Sequence, residues 1–170
     1  LGDTVFLNLY ILNKGDIKTC VITNNDNAPK LELVKTVTND NGGTLGIENW
    51  KLIADDGETS ISGFGGVVSG DNFKAGTYTL SEEGKEGVDV SGYKAGNWSC
   101  EGATVNGNQV VVPFQGNVKC TINNNDIAPK LTLNKIVSNT HGGNNPESDW
   151  MLYATKDNVV ALSGAGAEGD

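Results

Sequence analysis

Apolar and polar residues alternate with a period of two along most of the chain, the spacing of strands whose successive side chains point to opposite faces. Leu31, Leu33, Lys35 and Val37 fall on one face, and Glu32, Val34 and Thr36 on the other. Trp50, Leu52 and Ala54 predict the next strand, and Val67-Val68 a short one. Tyr78, Leu80 and Glu82 form another inward face after the turn Lys74-Ala75-Gly76. Trp98 and Cys100 precede a hairpin at Asn106-Gly107, an Asn-Gly turn signal. Val110, Val112 and Phe114 follow, and Cys120, Ile122 and Asn124 close the series. No segment has a helical period. About seven short strands in a stretch of this length predict an all-β sandwich.

The chain also repeats itself at an offset of 100 residues. Cys20 to Lys35 recurs as Cys120 to Lys135, and the match runs on through Gly42-Gly43 and Gly142-Gly143 to Trp50-x-Leu52-x-Ala54 and Trp150-x-Leu152-x-Ala154. Over residues 20–54 and 120–154, 18 of 35 positions are identical. Leu131, Leu133, Lys135 and Val137 predict a second copy of the first strand. The polar cluster Asn-Asn-Asp-x-Ala-Pro, at Asn24 to Pro29 and again at Asn124 to Pro129, marks the connectors. The expected organisation is therefore tandem: 1–28 the C-terminal strands of one repeat, 29–126 a complete repeat, and 127–170 the N-terminal strands of a third. The opening Leu1-Gly2-Asp3 reads as the interior of a longer chain. The two partial repeats each leave an apolar face without its other half, Val5, Leu7, Leu9 and Ile11 on one and Leu131, Leu133, Trp150 and Leu152 on the other.

Composition narrows the function classes. The 170 residues carry a net charge of −9, and every one of the 12 basic residues is lysine. Such a surface is a poor phosphate binder, so a nucleic-acid partner is not expected. No apolar run is long enough for a spanning helix, so no membrane insertion is expected of this segment. His141 is the only histidine, and no Cys-x-x-Cys spacing or phosphate-binding glycine loop occurs. An enzyme is therefore not expected, and neither is a cofactor.

Chemistry enters through the inward faces. Lys35 is in register with Leu31 and Leu33, Glu82 with Tyr78 and Leu80, and Asn124 with Cys120 and Ile122. If the first and last strands are neighbours, a lysine, a glutamate and an asparagine point into one apolar interior. Burial lowers the pKa of a lysine and raises that of a glutamate. A neutral amine is a nucleophile and a neutral carboxylic acid a proton donor, so beside a carboxamide the pair can form a Lys–Asn amide and release ammonia. The plainer alternative is a Lys35 amine that snorkels to the rim and pairs with Glu82, with Asn124 opening the connector turn. Asn123 and Asn125 compete with Asn124 as acceptor, but parity favours Asn124; Glu83 falls on the opposite face from Leu80.

The order Leu-x-Lys, then Gly76-x-Tyr78-x-Leu80-x-Glu82, then Gly92-Tyr93, then Ile-x-Asn resembles the Cna-B-type, prealbumin-like (SpaA-like) domains of Gram-positive adhesins and pilins. The resemblance implies tandem prealbumin-like, Ig-like sandwiches forming an extracellular, cell-surface stalk or fibre. It also implies an intramolecular isopeptide bond with Lys35 as amine, Glu82 as proton shuttle and Asn124 as acceptor. The partners it implies are neighbouring repeats and other copies in a fibre. A glycan- or protein-binding adhesive module is the competing function, and it needs an exposed aromatic cluster. Trp50 and Trp150 recur at one register, which places them in the core, whereas Trp98 stays open.

Cys100 and Cys120 flank the predicted hairpin, and Cys20 corresponds to Cys120 one repeat earlier. Two cysteines per repeat in a secreted protein read as a disulfide between Cys100 and Cys120, the alternative being two buried thiols. The oxygen-rich turn Asn39-Asp40-Asn41-Gly42-Gly43 is a weak Ca²⁺ candidate; a plain hairpin turn is the competing reading.

Overall fold

The computed structural model describes residues 13–17, 19 and 21–166. The expected faces at Val5 to Ile11, and Cys20, lie outside them. Between Lys30 and Asp126 the chain forms ten strands: β1 (Lys30–Thr38), β2 (Trp50–Asp55), β3 (Ser60–Phe64), β4 (Gly66–Val68), β5 (Gly76–Gly84), β6 (Tyr93–Ala95), β7 (Ser99–Glu101), β8 (Val105–Asn106), β9 (Gln109–Val112) and β10 (Asn117–Asp126). They make two sheets. One runs β4-β1-β10-β6, with β7 also on β10; the other runs β3-β2-β5-β9-β8.

Alternation becomes packing directly. On β1, Leu31, Leu33 and Lys35 are buried, and on β10 Val118, Cys120, Ile122, Asn124 and Asp126 are buried. The opposite sheet supplies Leu52, Ala54, Tyr78, Leu80, Val110 and Val112 to the same core. Each fully buried leucine or valine stabilises the sandwich by roughly 1.5–3 kcal/mol relative to exposure. Trp98, left open by the pattern, is also in the core at 8% exposure.

Closure comes from the first and last strands. β1 and β10 are parallel neighbours in continuous register from Lys30 opposite Asn117 to Thr38 opposite Asn125. The remaining strand pairs are antiparallel. A parallel pair needs a long crossover, and here the crossover is the rest of the sandwich. The chain moves from one sheet to the other between β3 and β4 through a single residue, Gly65, whose φ of +72° disfavours a side chain. The Asn-Gly signal is realised one residue later than expected: Asn106 ends β8, and the turn residues are Gly107 (φ +63°) and Asn108.

Three expectations are corrected. Phe114 is 61% exposed, because β9 ends at Val112 and Pro113, without an N–H, opens the turn that Gly116 closes on the Pro113 carbonyl. Residues 130–138 form no strand, since among the described residues nothing occupies the place that β10 and β4 take beside β1. Trp150, expected in a core like Trp50, is 38% exposed against 2% for Trp50.

After the connector, β11 (Met151–Lys156) and β12 (Val159–Ala165) form a separate two-stranded hairpin. The segment leading into it repeats contacts of the segment that leads into β2. Asn139 Nδ2 donates to the Asn145 carbonyl at 3.1 Å, as Asn39 Nδ2 does to that of Leu45. Lys135 Nζ lies 5.1 Å from the Trp150 ring centre, as Lys35 Nζ does from that of Trp50. What differs is cover: Leu131 is 60% exposed and Leu31 fully buried.

A disulfide joins Cys100 on β7 to Cys120 on β10, directly opposite each other with Cα atoms 4.1 Å apart. It closes a loop with a sequence separation of 20. Replacing both cysteines by serine is expected to lower stability by about 3 kcal/mol in denaturant titration. In the unmodified, unfolded chain, peptides carrying Cys100 and Cys120 should resist thiol labelling until reductant is added; labelling without reductant would contradict the bond.

Candidate functional site

The polar residues of the core converge on one point. Lys35 stands on β1 opposite Ile122, and Asn124 is the next inward residue of β10, opposite Val37. Their side chains are therefore diagonal neighbours on one sheet. Glu82 comes from β5 of the facing sheet, where it pairs with Leu52. Its carboxylate bridges the other two: Lys35 Nζ donates to Oε2 at 2.7 Å, and Asn124 Nδ2 donates to Oε1 at 2.8 Å. Lys35 and Asn124 are each 2% exposed, and the Glu82 side chain 14%. The Trp50 ring forms the floor under the amine.

The electrostatics are uneven. Burial lowers the Lys35 pKa, and the hydrogen bond and charge of Glu82 offset this only in part. Asn124 Oδ1 is buried with no hydrogen-bond partner among the described residues. An unpaired buried acceptor costs about 1–3 kcal/mol, so the site holds the carboxamide in a state that a change of bonding can relieve. One carboxylate thus touches both the nitrogen that would lose protons and the nitrogen that would leave as ammonia. The three residues singled out by inward parity come together; Glu83 does not join them and is exposed.

The oxygen-rich turn behaves differently from a cation loop. Its backbone N–H groups point inward at the carboxylate of Asp126: Asp40 N–H at 3.0 Å, Asn41 N–H at 2.9 Å and Gly43 N–H at 2.7 Å. Asn39 Oδ1 accepts from the Tyr93 hydroxyl at 2.7 Å. Among the described residues no group of three or more His, Cys, Asp or Glu side chains is placed to hold a metal ion. Burial alone would raise the Asp126 pKa, but the N–H groups of Gly43, Asn41 and Asp40 outweigh it and bring it down to about 2. Sequence reasoning does not single out Asp126, and it misses the roles of Tyr93 and Trp50. The available signal was parity, since Asp126 extends the inward series of Ile122 and Asn124 by one step, and its recurrence as Asp26.

A two-sheet sandwich closed by parallel first and last strands, with a Lys-Glu-Asn cluster inside, defines a structural β-domain of the prealbumin-like kind. The sequence model of the SpaA-type prealbumin-like fold domain matches residues 26–122 and 126–170, and the chain belongs to that family. Domains of this type are structural, non-enzymatic modules typical of surface-exposed pilins and adhesins. No curated protein and no solved structure matches the chain significantly. No helix among the described residues is long and apolar enough to cross a membrane.

The depressed Asp126 pKa gives a pH prediction. A carboxylate whose folded pKa lies below its unfolded value of 3.8 stabilises the fold fully above that value. The contribution shrinks as pH falls and is gone below about 2. Asp126→Asn should therefore be less stable than the parent at neutral pH, and the difference should close on acidification across this window. A difference that stays constant from neutral pH down to pH 2 would contradict the assignment.

Proposed function

We propose that the chain is part of an extracellular stalk or fibre of a bacterial surface protein, built from tandem sandwiches at 1–28, 29–126 and 127–170, and that a Lys35–Asn124 amide clamps the complete one. Its partners are neighbouring repeats and other copies in the fibre. The observation that carries this reading is the Glu82 carboxylate bridging Lys35 Nζ and Asn124 Nδ2 inside the core. The burial of Trp50 and Trp98 takes these two rings out of any aromatic platform that a glycan-binding reading would draw on.

The chemistry balances without a cofactor. Lys35 passes a proton to Glu82, and the neutral amine attacks the Asn124 carboxamide carbon. As Glu82 becomes protonated it turns from acceptor to donor, facing the carboxamide nitrogen that it already touches. The proton is then delivered to Nδ2. Nζ sheds its second proton to Glu82 as the carbon–Nδ2 bond breaks, the departing ammonia takes that proton away as ammonium, and the new amide keeps one N–H. Glu82 ends as it began, so the step is a single turnover that consumes its own side chains.

The topology gives the bond a mechanical use. Tension enters at Lys30 and leaves at Asp126, at opposite ends of two parallel neighbouring strands. A link between Lys35 and Asn124 carries that tension from β1 directly to β10, and the chain between them is bypassed.

After reduction and denaturation, the chain should weigh less than its sequence by one ammonia. Glu82→Ala should restore the full sequence mass and leave Lys35 buried without its partner, a loss of about 3–5 kcal/mol. Its melting temperature should drop by roughly 4–8 °C for each kcal/mol lost. Full sequence mass in the parent chain would overturn the cross-link.

A further inference from the structure

Asn124 lies between two other asparagines, so the reaction depends on which of the three faces inward. A one-residue shift of β10 would turn Asn124 outward and offer Asn123 or Asn125 instead. In the structure Asn123 Oδ1 accepts from the Thr36 and Thr38 hydroxyls at 3.0 and 3.3 Å on the outer face, and Asn125 is exposed. β1 pairs with β10 only as far as Thr38 opposite Asn125, and the chain then leaves as the loop 39–43. Asp126, one residue further along β10, grips that loop by the three backbone N–H groups already described.

We propose that Asp126 is the positioning residue of the cross-link, holding β10 in the register that presents Asn124, and neither neighbour, to Lys35. This rests on the reading of Lys35, Glu82 and Asn124 as a cross-linking site. Asp126 pairs with Tyr93 on β6. The Tyr93 hydroxyl donates to Asn39 Oδ1 and accepts the Leu45 N–H at 2.9 Å, so it holds the same loop at Asn39 and at Leu45. The Tyr93 ring packs edge-on against Trp50 with centres 5.2 Å apart, and Trp50 is the floor under the Lys35 amine. One assembly therefore sets both reactants: the strand of the acceptor through Asp126, and the surroundings of the amine through Tyr93 and Trp50. The disulfide cannot do this alone, since it ties β10 to β7 at Cys120, opposite Leu33 and well before the loop after β1.

The test follows ammonia loss by intact mass, immediately after purification and during incubation, in the parent and in Asp126→Asn, Asp126→Glu, Tyr93→Phe and Val118→Ala. Val118 is buried at the far end of the same strand and serves as a control for stability alone. Asp126→Asn should slow cross-linking by about 10- to 100-fold, the scale of a misplacement near one ångström. Tyr93→Phe should slow it less, and Asp126→Glu should recover part of the rate. Val118→Ala should lower the melting temperature while linking at the parent rate. Peptide mapping of Asp126→Asn should find linkage to Asn123 or Asn125 among the few linked chains. A linked parent with Asp126→Asn equally fast and still joined only at Asn124 would overturn this inference and leave the cross-link standing. A slowing of Val118→Ala equal to that of Asp126→Asn would also overturn it, because stability alone would then explain the rate. A parent chain that never loses ammonia would overturn the cross-link and the positioning role together. If Asp126→Asn does not fold, Tyr93→Phe decides on the same criteria.

Discussion

An amine buried at 2% exposure inside an apolar sandwich is the constraint on which this structure turns. Removing a charge from water costs several kcal/mol unless an opposite charge and good hydrogen bonds meet it. Lys35 finds that partner only across the core, at Glu82 of the facing sheet. The two sheets must therefore be closed for the amine to be satisfied, and closing them places the amine, the carboxylate and the Asn124 carboxamide in one contact set. The same burial that makes the amine costly lowers its pKa and brings it nearer the neutral form that can react. A permanent amide would remove the ammonium from the core, because the linked Lys35 nitrogen is no longer an ion.

The parallel pairing of β1 with β10 gives this chemistry its structural meaning. It joins the two ends of the complete sandwich side by side and sets Lys35 and Asn124 diagonally across the seam. Residues 130–166 carry a similar opening sequence with, among the described residues, no such partner strand beside it. The loop at Asn139, the stacking of Lys135 on Trp150 and the β11–β12 hairpin all form locally, yet Leu131 stays exposed and residues 130–138 pair with no strand among the described residues. Local turn chemistry and hairpins need only near neighbours in sequence; the first strand needs the last.

That distinction also explains what the sequence made legible. Period-two alternation was enough to place Leu31, Leu33, Lys35, Tyr78, Leu80, Glu82, Ile122 and Asn124 on inner faces, because every step along a strand reverses the side chain. The 100-residue offset pointed to Cys100 and Cys120 as partners, and β7 against β10 brings them together. Alternation does not report where a strand stops, so Phe114 was carried past Pro113 onto the inner face. Nor does it report the short strands rich in glycine and serine, such as β3. Asp126 is hard to read for a different reason: its partners are backbone N–H groups of a loop, which any residue type supplies. The glycines of Gly42-Gly43 were the trace of that loop, and their oxygen-rich neighbours suggested a cation where the backbone in fact encloses a carboxylate.

The central claim is that burial of Lys35 against Glu82 and Asn124 is a reactive arrangement and not only an ion pair. The most direct measurement is a proteolytic map of the reduced chain read by tandem mass spectrometry, which locates the bond residue by residue. The account predicts a branched peptide joining Lys35 to Asn124, with Glu82 unmodified. Linear peptides carrying a free Lys35 and an intact Asn124 throughout the folded, mature protein would contradict it.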